Sequence, residues 1–370
     1  MNSTFDIIDE GMIAQQPETG PTAVAACSRC VIIDSDELVC TFSVQSALGQ
    51  NDFKKVMVRS PDGGSTWSDP TYIWPHLHSS LSIIGSISKG RKGELILSGI
   101  QIPIDRAGES FWSEATEGMK QNALFFANSS DGGANWSDPT SVPLPIPGSA
   151  ENPGVLTVIS DGAWICCYSP YNNFDPDIKV DRNQVVWMRS EDEGKSWSHG
   201  SMLRFDNADS TAAEAWVIEL VDGRLLGACW HIAGQDDKDM PNAYALSSDG
   251  GRTWTPTNNT GILGQSCALA ALPDGRALLV YNQRKHGEPG IHLALARPTS
   301  DNFGLEINEP VWKATTRTRN NTAGNHNDWQ DYAFGEPSVL PLPDGTVLVS
   351  YWKIQPNARG IGYVRVRLPE

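Results

Sequence analysis

Six times along this 370-residue chain, a turn rich in Asp and Gly leads into a short apolar run. The units are D-S-D-E-L-V-C-T-F-S-V (34–44), K-G-E-L-I-L-S-G (92–99) and S-D-G-A-W-I-C-C-Y (160–168). They continue as V-D-G-R-L-L-G-A-C-W (221–230), P-D-G-R-A-L-L-V-Y (273–281) and P-D-G-T-V-L-V-S-Y (343–351). Each run has the length and residue types of a buried strand. An apolar stretch precedes each one, and a third strand such as K-V-M-V-R-S or N-A-L-F-F-A-N-S follows after a loop. The pattern predicts six similar antiparallel sheets, and repetition on this scale predicts a ring of blades.

A second repeat punctuates the first. S-x-D-x-G-x-x-W occurs at Ser60 to Trp67, Ser129 to Trp136, Ser190 to Trp197 and Ser247 to Trp254. The Asp accepts backbone N–H bonds inside a tight turn, the Gly supplies positive φ, and the Trp buries a large ring against the next sheet. These are structural tasks, and the motif holds no plausible nucleophile. The fifth unit carries a degenerate version, A-R-P-T-S-D-N-F-G (296–304). The sixth has no sequence left for a fourth strand, so F-D-I-I-D-E-G-M-I-A near the N-terminus is expected to close the ring. The fold class read from this is all-β: a six-bladed propeller of four-stranded blades, one domain over residues 1–370.

Composition narrows the partners. A formal charge of −16 argues against nucleic acid and anionic membrane surfaces. No apolar run is long enough to span a bilayer, and the N-terminus lacks the basic and apolar regions of a signal peptide. Seven cysteines without paired spacing read as reduced core thiols. The expectation is a cytoplasmic protein, although a secreted one shorn of its leader would look the same. No metal-ligand, EF-hand or phosphate-loop motif is present, so no obligatory cofactor is expected.

Tryptophan turns repeated on a six-bladed ring resemble the sialidase superfamily, whose Asp-box is this motif. The resemblance covers nearly the whole chain. It implies an active site on the face opposite the tryptophan turns, lined by the starts of the first strands and the loops between second and third strands. The family holds a substrate carboxylate with three arginines and works with a Tyr nucleophile, a Glu base and an Asp acid. Arg29 falls where the family's first-blade arginine precedes the first turn, and Asp52 falls in the loop that carries the acid. Glu214 matches the fourth-blade Glu, eight residues before Asp222. Trp230 and His231 stand where the next arginine would be.

In the sixth blade Glu336 stands eight residues before Asp344, where the family places a Tyr, while Tyr332 is out of register. Glu151 opens the third-blade strand, so three glutamates from three blades are expected to converge. A carboxylate in place of the Tyr suits a substrate without a charge at its anomeric carbon. Active-face candidates for substrate binding are Arg29, Arg284, His231, Trp230, Tyr171 and Trp329, with His286 and His326 nearby. The leading reading is an exo-acting glycoside hydrolase taking an oligosaccharide or glycoside in the central funnel. A non-catalytic carbohydrate binder and a uronate-polysaccharide lyase are the alternatives.

Overall fold

The computed structural model describes residues 4–234, 238–319 and 326–369. Six four-stranded antiparallel sheets form the blades of a propeller, and the only helices among the described residues are two short 3-10 turns. From the axis outwards, blade one runs Val24–Ile32, Leu38–Gln45, Lys54–Ser60 and Thr71–Tyr72. Blades two to five repeat that order. In blade six Asp6–Gln15 pairs antiparallel with Ala358–Arg367 as the outermost strand, as expected from the sequence. The first residues of the chain thereby cover the free edge of the last sheet.

The apolar core lies between neighbouring sheets. One cluster joins blades four, five and six, and others join one with six, two with three, three with four and one with two. No blade buries its faces alone, which is why the repeats specify a ring rather than independent hairpins. All seven cysteines are free, six of them buried. No helix among the described residues is long and apolar enough to cross a membrane.

The four tryptophan turns share one hydrogen-bond pattern. In the first, the Thr66 N–H donates to Asp62 Oδ1 at 2.8 Å, the Gly64 N–H donates to Ser60 Oγ at 2.8 Å, and the Trp67 indole donates to Gly64 O at 3.1 Å. Such donors favour the charged carboxylate. They hold Asp131 and Asp192 down to about 2, with bonds from Asn135 and Ser196 foremost; at Asp249 burial is the largest single influence and opposes, yet the bonds from Thr253 and Ser247 together still bring it to about 2. In the degenerate fifth turn Phe303 replaces the tryptophan. It is 2 % exposed and packs on Tyr244 at 5.1 Å, so the apolar anchor survives without the indole bond.

Candidate active site

The inner strands of blades one, four and six each lose register once: between Ala26 and Arg29, Ala213 and Trp216, and Gly335 and Ser338. Each bulge holds a non-glycine residue in the left-handed region. These residues are Cys27 (φ 55°), Glu214 (φ 53°) and Glu336 (φ 45°). Such backbone costs about 1–3 kcal/mol per residue and clusters where a side chain must be aimed. All three stand at one register position, five residues before the last pair of the strand (Ile32↔Leu38, Glu219↔Leu225, Pro341↔Val347).

The bulges tip these side chains into an axial funnel of about 400 Å³. Glu151 joins them from blade three, where the inner strand breaks after Ser149–Glu151 and resumes at Thr157–Val158. Two pairs result, each spanning neighbouring blades. The Glu214 N–H donates to Glu151 Oε2 at 2.7 Å. Glu336 Oε2 accepts both the Cys27 N–H at 2.9 Å and the Cys27 thiol at 3.0 Å. Burial, then the Glu336 charge, pushes Glu214 up to about 7. Burial, then the Glu214 charge, pushes Glu151 well above the usual carboxylate range. Recessed carboxyl groups that act on one another in this way retain a proton near neutrality, and it belongs to the pair.

The wall above is aromatic. Trp112 lies 6.2 Å from Tyr171 and 6.3 Å from Trp329, which in turn lies 5.6 Å from Phe111. Trp112 belongs to a small hairpin, Trp112–Ser113 with Gly118–Met119, that rises from blade two and carries Glu114 and Glu117. The Met119 N–H donates to Asn172 O at 2.8 Å, tying the hairpin to blade three. Trp230 also lines the funnel, and its indole donates to Asp239 Oδ1 at 3.0 Å. The other oxygen of Asp239 meets His286 Nε2 at 2.8 Å. Arg284 lines the funnel with its guanidinium 3.6 Å from the Tyr332 ring, while its Nη1 donates to Phe334 O at 3.2 Å.

Of the sequence candidates, the funnel brings together Glu151, Glu214, Glu336, Trp230, Arg284, Tyr171 and Trp329. Three others lie elsewhere. Arg29, two residues past its bulge, is buried below the funnel with its guanidinium 3.6 Å from the ring of Trp216 on the opposite blade. Burial lowers it to about 9, and Nε and Nη2 have no partner among the described residues. His231 neighbours Trp230 on a strand, so alternation turns it to the other face. There it stacks on Phe205 at 4.0 Å and meets Ser210 Oγ at 3.2 Å, and burial lowers it to about 4. Asp52 accepts the Ser46 N–H at 3.2 Å within its own loop. The His326 side chain lies outside the described residues.

Residues the sequence reading passed over include Arg182, Trp112, Glu114 and Glu117, which line the funnel from loops without any repeat signature. Cys27 was also missed. Its signal was its distance to the following strand, which equals that of Glu214 and Glu336, but the turn between has Ser35 where the others have Asp222 and Asp344. Among the described residues no group of three or more His, Cys, Asp or Glu is arranged to hold a metal ion.

The six blades, the tryptophan turns and the funnel opening away from them define a sialidase-like propeller. Residues 108–311, more than half of the chain, match the family described as a BNR repeat-like domain, and the chain belongs to that family. A protein of unknown function from Dyadobacter fermentans shares the fold with a TM-score of 0.75 at 20% identity, covering 99% of both chains. An α-L-arabinanase of Penicillium chrysogenum, complexed with arabinobiose, is similar with a TM-score of 0.67 at 14% identity, covering 99% of each. A sialidase of Streptococcus pneumoniae is similar with a TM-score of 0.63 at 14% identity, covering 100% of this chain and 71% of that one. No curated protein matches the chain.

Proposed function

We propose that this protein is an exo-acting glycoside hydrolase for glycosides that bear no charge at the anomeric carbon. The observation that carries this reading is the Glu151–Glu214 pair, which retains a proton near neutrality, in one funnel with Glu336, whose Oε2 already accepts two hydrogen bonds. Two carboxyl groups of opposite protonation are what cleavage of a glycosidic bond requires. The protonated pair donates to the leaving glycosidic oxygen. Glu336 serves the anomeric carbon, as nucleophile or as base towards water, and water finally supplies the hydroxyl and the returning proton.

Two further features fit the substrate class. Five carboxyl groups (Glu114, Glu117, Glu151, Glu214 and Glu336) and two guanidinium groups (Arg182 and Arg284) line the funnel. That balance disfavours a carboxylate held against the floor. The Arg29–Trp216 stack spans the axis beneath, so a chain end fits where a through-running polymer would not. The aromatic wall offers faces for the C–H surfaces of sugars. The Penicillium arabinanase holds arabinobiose, so arabinosides, aryl arabinofuranosides among them, belong first in the test panel.

One observation favours a second reading. The Tyr332 side chain is buried in the funnel, and burial raises its hydroxyl, with Glu214 among the charges acting on it. A tyrosine nucleophile with Glu214 as its base would suit sialosides. The test is product analysis by mass spectrometry on aryl arabinofuranosides, sialosides and uronides, with the wild type beside Glu214→Gln and Tyr332→Phe. Release of a neutral sugar that Glu214→Gln abolishes supports the proposal. Release of sialic acid that Tyr332→Phe abolishes supports the second reading.

A further inference from the structure

We infer that Cys27 is a positioning residue for the proposed reaction, holding one oxygen of Glu336 with its N–H and its S–H so that the other oxygen faces the substrate. This rests on the reading of Glu336 given above. The register of the three bulges argues for it first. Blades four and six use the left-handed position to aim a carboxylate into the funnel, and blade one places a thiol at the same position.

A third carboxylate beside Glu336 would repel it, whereas a thiol there is a donor. Both bonds, at 2.9 and 3.0 Å, fall on Oε2 and leave Oε1 the oxygen that Cys27 does not engage. Two donors on one oxygen fix the rotation of a carboxylate. The thiol remains protonated and able to donate, because burial and then the Glu336 charge push it up.

The charged groups acting on Cys27 are Glu336, Glu214 and Lys55, whose buried ammonium donates to Gly85 O. Among the described residues the thiol donates to Glu336 Oε2. The N–H half of the arrangement recurs where the Glu214 N–H meets Glu151. The S–H half is peculiar to Cys27, so a substitution can remove it while the backbone bond stays.

The test needs no substrate at first. The infrared S–H band of Cys27 is isolated as the difference between wild type and Cys27→Ala, since the other six cysteines cancel. The band is expected to sit at the low frequency of a bonded thiol and to move upwards in Glu336→Gln. With the aryl glycoside cut fastest by the wild type, Cys27→Ala is expected to lower kcat about tenfold with KM within about twofold. Cys27→Ser, which restores a donor, is expected to return kcat to within about threefold of the wild type.

An S–H band indifferent to Glu336→Gln would overturn the inference, as would a kcat of Cys27→Ala equal to that of the wild type. A merely structural role would lower Tm in Cys27→Ala and leave the S–H band indifferent to Glu336→Gln. Full activity of Glu336→Gln would instead remove the proposed role of Glu336, leaving the infrared result to judge the contact by itself.

Discussion

The Glu214 backbone N–H donates to Glu151 Oε2 at 2.7 Å, across the junction between blades four and three. Only the left-handed bulge at Glu214 turns that N–H sideways, away from its own sheet, and the same bulge tips the Glu214 carboxyl into the funnel. One local distortion therefore builds the pair. The strain is stored in the backbone, where the surrounding blades hold it.

The pair makes stability depend on pH. Glu214, raised to about 7, favours the fold while protonated. That contribution is full below the unfolded value of about 4.3 and is lost as pH rises through about 7. Glu214→Gln has no charge to desolvate. Relative to the wild type, its Tm is expected to gain about 2–4 °C between pH 5 and pH 8, read by calorimetry. An equal offset at both pH values would contradict a protonated pair.

Asp249 gives the opposite dependence. Its folded value of about 2 lies below the unfolded one, so its contribution is present above about pH 4 and is lost as pH falls towards 2. Asp249→Asn is expected to lower Tm at pH 7, with the gap to wild type narrowing below about pH 3. Activity per folded molecule should not change, because the turn lies on the face away from the funnel.

Arg29 was expected from the sequence to bind substrate, and the structure puts it under the floor, stacked on Trp216. Arg29→Met keeps the length of the side chain and removes a buried charge, a change often neutral or stabilising. KM is expected to stay within about twofold and Tm not to fall by more than about 2 °C. A tenfold rise in KM would return Arg29 to substrate binding.

Tyr332→Phe separates the two chemical readings. Under the two-carboxylate reading it leaves kcat within about threefold, since Arg284 still rests on the ring face. Under the tyrosine-nucleophile reading it abolishes the covalent step. Turnover of the best substrate by stopped assay decides between them.

Much of this was legible in the sequence because repeats state their own geometry. The four tryptophan turns, the six turn-and-strand units and the closing N-terminal strand each name a place on the ring. Glu214 and Glu336 could be found because each sits at one offset from an Asp-Gly turn. Cys27 shares that register but precedes the irregular turn Asp34-Ser35-Asp36, which hid it. Arg29 was misplaced because a bulge shifts every later side chain, and bulges leave no mark in a pattern of apolar residues. Trp230 and His231 were both assigned to the funnel, yet adjacent residues of a strand face opposite ways. The hairpin at 112–119 and Arg182 come from loops whose approach to the axis no repeat encodes.

The most direct test of the account is to incubate the wild type, Glu214→Gln and Glu336→Gln with aryl arabinofuranosides, sialosides and uronides and to identify products by mass spectrometry. The account predicts a hydrolysed neutral sugar from the wild type and a loss of at least about 100-fold in each variant. Full activity in both variants, or release of sialic acid, would contradict it.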